Sequence, residues 1–595
     1  MSAQAEVRTE PASPDPAPPE RRRRFGRSDL VTVLCYLGLG VLVLWPLWRD
    51  PAGVKLVGSL EDQYFNEWNL AYAAHVLTDG ANPLFTTLMN PPAGANIMAN
   101  TSNLGVGFVL APVTLVFGPA VTLVLALTLG LAGTAAAWYW VLSRWLLPAD
   151  AAGTVIAAVA GGLIGFSPSL VGHAGGTHVQ FVSQFLLPFI VWRVTRLAER
   201  PVREGVVIGL LVTYQLFLGE EILMMAAMAV AVLLAARLAD RPRVALTTVR
   251  RFLTGTAVTA GTVLGLAGYP LWTQFFGPQS YAGIEWSMAP GTPLPGWTAY
   301  STESVAGGRW QTEFALNGAE QNGFLGWAVV GLTIAAAVWL WRRSGTARAL
   351  TVTAIVFVLL AAGSRIVWAP GEPGVPGPWR LLAPLPIFES ILPARFALVA
   401  IPCMVVLLAL AAHRLTQRFP HRNVRVALAV VAAIALIPIA PTPATVWERP
   451  SVPEFFAAGL WKQYIRPGHT LVVAPRPSCY YGDPMRWQYL ADFEFRINSG
   501  YFISPVGPHG KGTYAPAARP SELLLDRAYT RNEPQTVTPD DRRAAREDLR
   551  GWGADAVVVD PRMPNAEAIR VTVGRLYGVT EKLVGGVWVW DVRDL

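Results

Sequence analysis

Arginine alternates along this chain. Between residues 30 and 440 about eleven apolar runs of spanning length follow one another, at ~20 residues per crossing, and every second connection is rich in Arg. Arg21, Arg22, Arg23, Arg24 and Arg27 precede the first run. Later connections hold Arg193, Arg196, Arg200 and Arg203; Arg237, Arg241, Arg243, Arg250 and Arg251; Arg342, Arg343 and Arg348; and Arg414, Arg418, Arg422 and Arg425. Short cationic connections stay on the cytoplasmic side of a membrane, so the alternation predicts a multi-pass protein of the plasma membrane with its N-terminus inside. Chemistry is then expected on the outer face, where the connections carry carboxylates.

Only 15% of the residues are charged and 52% are hydrophobic, against about 25% charged in a soluble domain. The formal charge of +8 sits mostly in the predicted cytoplasmic connections. It therefore speaks for topology and contact with anionic membrane lipids, and against nucleic acid. Cys35, Cys403 and Cys479 offer neither a disulfide framework nor a CxxC metal knot.

Residues 1–28 read as a disordered, basic cytoplasmic tail. The run at 30–48 is long for a signal peptide and ends in Trp45, Pro46, Leu47 and Trp48 without a small-residue cleavage site, so it is expected to stay as the first helix. Residues 29–441 form the expected transmembrane domain, with outer loops at 49–103, 273–323 and 364–396. Within the first loop, 63–77 is amphipathic and is expected to lie along the membrane surface. The piece 104–117, closed by Gly118-Pro119, is too short for a confident span and is expected to be interfacial or re-entrant. Counting it as a span would put the Arg clusters outside. The stretch SPSLVGHAGGTH reads as an outer loop and 179–194 as one helix. From 442 to 595, short β-type runs (TLVVA, AVVVD, VWVWD) alternate with helical patterns, which predicts a small extracytoplasmic α/β domain.

Polar residues at the outer ends of apolar runs are the candidates for chemistry. Asp62 and Glu61, about a dozen residues past the first run, suit a general base or a cation ligand. Glu67 and Asp79 read as ordinary surface charges. Glu220 and Glu221 stand together at a membrane boundary, where carboxylates are costly unless paired, solvated or used. His173 and His178 bracket HAGGTH; a polar loop role is the default for His173. Arg395, in LPARF, suits a phosphate on a face poor in cations, as do Lys55 and Arg380 more weakly. Trp286, Trp297, Tyr300 and Trp310 suit sugar stacking or an interfacial belt equally. A divalent cation, if used, has Asp62, Glu220 and His178 as candidate ligands. No Walker loop, GxSxG elbow, HExxH or Rossmann fingerprint stands in a supporting context.

The order of elements resembles the GT-C class of polytopic glycosyltransferases, in particular bacterial relatives of the aminoarabinose and protein mannosyl transferases. The likeness rests on Glu61-Asp62 after the first run, the amphipathic stretch, and the surface piece before the second run. PLPIFESILPARF also resembles actinobacterial and YfhO-like membrane proteins. The resemblance implies transfer of a sugar from a polyprenyl-phosphate donor to a cell-envelope glycan or lipid acceptor. It also implies that the class's first-loop Asp maps onto Asp62, with Glu61 as neighbour, although here Glu precedes Asp. Arg395, with Lys55 or His178, would steady the leaving phosphate; Glu220 or Glu221 would orient the acceptor or a metal; the lipid tail would enter near 104–117. The rivals are a flippase for lipid-linked glycans and a non-catalytic assembly factor. Few charges fall in mid-span, which weighs against ion-coupled transport.

Overall fold

The computed structural model describes residues 25–240, 242–284, 291–308, 318–320, 323–369 and 371–595. The expected tail thus lies outside the described residues up to 24, while Arg27 and Ser28 already belong to helix α1 (Arg27–Val43). The chain is mainly helical. Among the described residues, six helices are long and apolar enough to cross a membrane: Leu104–Leu146, Pro201–Leu218, Glu220–Asp240, Thr248–Phe276, Pro393–Arg418 and Arg422–Ile439. Ala151–Gly165 with Pro168–Gly175, bent by 41°, makes a seventh, and Gly326–Trp341 and Gly345–Ala361 are shorter apolar helices. Several of the remaining apolar runs fold as short or broken helices. Leu253, Leu264, Ile334, Val338 and Ile434 are exposed on the outside of the bundle, as lipid-facing side chains are.

The first departure from a simple bundle is α2 (Asp62–Asp79). From Gln63 to Ala74 nearly every side chain is buried. One neighbour is the long helix α3 (Leu104–Val141), whose Gly107 packs against Ala73. Helix α3 is two arms. Gly118 takes φ 82°, ψ 165°, and the Thr114 and Thr122 hydroxyls meet at 2.9 Å, where eight residues of straight helix would separate them by about 12 Å. The arm 104–117 is therefore a separate limb folded back at Gly118, with Leu115, Val116 and Phe117 exposed at its tip.

The second departure follows α4 (Ala151–Gly165). The segment expected to be an outer loop is helix α5 (Pro168–Gly175), begun by the Ser167 side chain capping Leu170. The expected helix at 179–194 is split into α6 (Val179–Val182) and α7 (Leu187–Val194). Freed backbone groups at this break are taken up by the Thr134 hydroxyl, which donates to the Val182 carbonyl (2.7 Å) and accepts from Gln184 N–H (3.0 Å). Helices α8 (Pro201–Leu218), α9 (Glu220–Asp240) and α10 (Pro242–Phe276) follow. Then come α11 (Gly326–Trp341), α12 (Gly345–Ala361), α13 (Ala397–Arg418) and α14 (Arg422–Leu436).

After α14 the chain pairs back onto the first loop. Strand β1 (Val54–Leu56) runs antiparallel to β2 (Val446–Glu448). Beyond it lie α15 (Asp483–Leu490), α16 (Pro520–Arg531), α17 (Pro539–Trp552) and α18 (Ala566–Tyr577). They accompany a five-stranded sheet of β3 (Thr470–Val473), β4 (Arg496–Ile497), β5 (Ala554–Val559), β6 (Lys582–Val584) and β7 (Val587–Asp591), in the order β6-β7-β5-β3-β4. The pairs β5–β3 and β3–β4 are parallel; β7 is antiparallel to both its neighbours. Gly585 and Gly586, both at positive φ, close the two-residue hairpin between β6 and β7.

Glu67 fastens the sheet region to α2. Far from being a surface charge, it is fully buried. It pairs with both terminal nitrogens of Arg449 and accepts from Tyr489 Oη at 2.8 Å and Gln63 Nε2 at 3.2 Å. Arg449 Nε also donates to the Val54 carbonyl (2.7 Å). A buried pair with one partner removed leaves an uncompensated charge. Arg449→Met is expected to cost about 3–5 kcal/mol, read as a lowered melting temperature of the detergent-solubilised protein, with Glu67→Gln in the same chain recovering part of the loss.

Glu522, at the start of α16, accepts from Asn498 Nδ2 (2.8 Å) and the Arg519 N–H (2.9 Å). Burial outweighs these bonds and pushes its carboxyl from 4.5 up to about 7. The folded chain holds this proton more tightly than the unfolded chain, so the stabilisation is complete below about pH 4.5 and is lost as pH rises through 7. Melting temperature is expected to fall between pH 5 and 8, with Glu522→Gln flattening that slope.

Candidate functional site

Asp62 is the first residue of α2, after a turn whose Leu60 sits at φ 48°. The turn is held by Gln63 Oε1, which accepts from Leu56 N–H at 2.9 Å, and by the Ser59 hydroxyl on the Leu56 carbonyl at 2.7 Å. A carboxylate at a helix start is favoured by the helix dipole. Its oxygens are divided: Oδ1 accepts from Tyr501 Oη (2.5 Å) and Oδ2 lies 3.2 Å from His178 Nε2. Burial pushes the Tyr501 phenol well above its ordinary range, and the charge of Asp62 pushes the same way, so the phenol remains a donor. Tyr501 comes from the sheet region, 439 residues away in sequence. Asn100 fixes its neighbourhood by pairing with both backbone groups of Ile503.

Behind Asp62 the polar groups continue inward. His178 Nδ1 is 2.9 Å from His173 Nδ1. Thr177, at φ 59°, turns the chain between them, and Asn66 Nδ2 ties that turn to α2 by donating to the Thr177 carbonyl at 3.0 Å and the Asp62 carbonyl at 2.9 Å. Glu320 lies against the histidine pair. Arg395 donates to Glu320 Oε1 through Nε (2.8 Å) and a terminal nitrogen (2.6 Å), and to Glu221 Oε2 through the other (2.6 Å). Its guanidinium also covers the Phe181 ring at 4.6 Å. Burial would raise the Glu320 carboxyl, but the Arg395 charge outweighs it and holds it at about 2.

Of these groups, Asp62, Asn66, His178, Glu221, Arg395 and Tyr501 border a cavity of about 1370 Å³. Its polar end holds Glu61, Asp62, Asn66, Asn103, His178, Glu220, Glu221, Gln274, Arg395, Tyr501 and Tyr514. Its apolar end runs between α7, α8, α9 and α10, past Val191, Ile208, Val212, Met224, Val230 and Phe252. Glu220 to Leu234 line one wall, a depth of about 21 Å at 1.5 Å per residue. No residue of 104–117, where lipid entry was expected, lines the cavity.

Not every expected residue joins this arrangement in its expected role. Lys55 is held by Glu61 Oε1 at 2.9 Å and does not line the cavity. Glu61 Oε2 accepts from Gly482 N–H (2.9 Å), which makes it a brace to the sheet region. Glu220 accepts from Gln274 Nε2 (2.5 Å), so Asp62, Glu220 and His178 do not gather as one ligand set. Among the described residues the set that gathers is His173, His178 and Glu320, with one ligand atom from each within 4.8 Å of the others. Arg380 is exposed, Trp297 donates within its own loop to the Thr292 carbonyl, and Tyr300 packs against Phe324. Trp286 and Trp310 lie outside the described residues. Tyr501, Glu320 and Gln274 were not singled out in the sequence: a phenol in a β-rich tail, a Glu in a Gly/Pro loop and a Gln at a helix end carry no local signal.

No family model matches the chain, and no curated protein matches it. Among solved structures, arabinofuranosyltransferase AftD from Mycobacteria matches with TM-score 0.51 and 14% identity, over 95% of this chain and 41% of that one. The oligosaccharyltransferase AglB from Archaeoglobus fulgidus, solved with an inhibitory peptide and a dolichol-phosphate, gives TM-score 0.49 and 14% identity over 96% and 75%. The likeness to AftD establishes the fold: this chain has the GT-C-type architecture.

Arg395 is the one Lys or Arg on the cavity wall among the described residues. Arg395→Leu leaves Glu221 and Glu320 without that guanidinium and is expected to destabilise the chain by about 3–5 kcal/mol. Thermal unfolding in detergent measures this, and Glu320→Gln in the same chain is expected to restore part of it.

Proposed function

We propose that this protein is an inverting glycosyltransferase. It moves a sugar from a polyprenyl-phosphate donor to a cell-envelope glycan or lipid acceptor at the outer face of the plasma membrane. The observation that carries this reading is the single cavity that joins Asp62 to a long apolar wall. A polar end and an apolar trough in one space fit a substrate that is sugar at one end and lipid at the other. In this reading the sheet region lies outside the cell and closes the polar end with Tyr501 and Tyr514.

Asp62 takes the proton of the acceptor hydroxyl as that oxygen attacks the anomeric carbon. The bond from that carbon to the donor phosphate breaks, and the polyprenyl phosphate leaves with the electron pair. Tyr501 and His178 hold the two oxygens of Asp62, so its position is set before substrate arrives. Arg395 is the cation nearest the leaving phosphate. Its attachment to Glu221 and Glu320 makes it a fixed rather than a reaching group.

The test is turnover of radiolabelled polyprenyl-phospho-sugars by the purified protein with envelope extracts as acceptor. Asp62→Asn is expected to lower kcat about 10²–10⁴-fold with the melting temperature little changed. Turnover that survives Asp62→Asn removes that residue from the chemistry. Absence of turnover, together with failure of a photoactivatable polyprenyl phosphate to label α8–α10, removes the lipid-donor reading.

A further inference from the structure

We propose that His173, His178 and Glu320 form a binding site for a zinc-class divalent cation, with Asp62 acting as hydrogen-bond partner to one ligand and not as a ligand itself. This inference is independent of the transferase reading. Two imidazoles that face each other through Nδ1 at 2.9 Å, in a buried position beside a carboxylate, form a compact N,N,O set. Nitrogens bound to one tetrahedral zinc at ~2.0–2.1 Å stand about 3.3 Å apart. The rings therefore need to part by only a few tenths of an ångström. Two imidazoles and one carboxylate with a fourth position left over is a donor set zinc accepts readily.

The surroundings fit the same assignment. A metal-bound imidazole normally donates its other N–H to a carboxylate, which fixes the tautomer. His178 presents Nε2 to Asp62 Oδ2 at 3.2 Å while its Nδ1 faces His173. A carboxylate has two oxygens, so Glu320 can serve Arg395 and a cation together. Charge adds an independent argument. Asp62, Glu221 and Glu320 bring three carboxylates to a cluster whose one guanidinium among the described residues is Arg395. Half-buried negative charge in excess of its partners is costly, and a divalent cation offsets it.

Local backbone supports the set as well. Gly176 sits where a Cβ would come within 2.6 Å of the Ala319 Cβ and 3.4 Å of His178 Nδ1. That close approach is what lets the segment carrying Glu320 reach the histidines. The third ligand therefore arrives from a distant loop, and α5, α6 and this loop close on one point.

The experiment is zinc titration of the full-length protein in detergent after chelator treatment, followed by calorimetry and metal analysis. One zinc per chain is expected. His173→Ala and Glu320→Gln are each expected to weaken binding at least ~100-fold, while Asp62→Asn, altering only the partner of a ligand, weakens it ~10–100-fold and keeps the stoichiometry. X-ray absorption of the zinc-loaded wild type is expected to show two imidazoles, oxygen and no sulfur, a reading that does not depend on any variant folding. Absence of saturable zinc binding by the wild type overturns the proposal. So does binding that His173→Ala and Glu320→Gln leave intact, or a shell that contains the sulfur of Cys479.

Discussion

The buried pair of Glu67 with Arg449 fixes where everything else in the site can be. Glu67 lies five residues beyond Asp62 on the same helix, and Arg449 begins the path into the sheet region. With this pair closed, α2 is held between the folded-back arm of α3 and α15. The Trp68 indole then reaches Gln488 Oε1 at 2.8 Å, and Tyr501 reaches Asp62. Two charges fully removed from water are tolerable only because every oxygen of Glu67 has a donor. The amphipathic look of α2 follows from this. Its polar side chains are aimed at protein partners: Glu67 and Trp68 at the sheet region and its approach, Asn66 at Thr177 and Asn103.

That arrangement divides the labour between two parts of the chain. The membrane helices supply an apolar trough, His178, Arg395 and the two glutamates of α9. The sheet region supplies Tyr501 and closes the polar end, and β1 with β2 keeps the two in register. Polar groups in the cavity are therefore fixed by partners that lie hundreds of residues apart. A site held this way loses little orientation freedom when a substrate enters, the condition under which positioning contributes most to a rate.

Much of this was legible in the sequence, and the legible part has one physical source. Carboxylates, histidines and an arginine at the ends of apolar runs stand out because such groups are costly there. Asp62, His173, His178, Glu221 and Arg395 could be picked out on that ground, and the structure brings them into one connected cluster. Glu67, Tyr501 and Glu320 could not, because what makes each important is a partner far away in sequence. Where one helix ends and the next begins was illegible for a related reason. Composition registers an apolar run without showing whether it continues as a helix, and the break at 183–186 depends on a Thr134 hydroxyl from a different helix.

An earlier break, between α5 and α6, explains why the histidines were hard to judge. On one regular helix, residues five apart point about 140° away from each other at 3.6 residues per turn, so His173 and His178 would never meet. They meet because the helix ends at Gly175 and Thr177 takes a left-handed conformation before α6 begins. Irregular backbone at this depth persists only where its polar groups find partners. Here His178 N–H bonds the His173 carbonyl at 2.9 Å, and Asn66 takes the Thr177 carbonyl. The glycines of HAGGTH thus act through the turn they permit, and the turn converts two separately placed imidazoles into a facing pair beside Asp62.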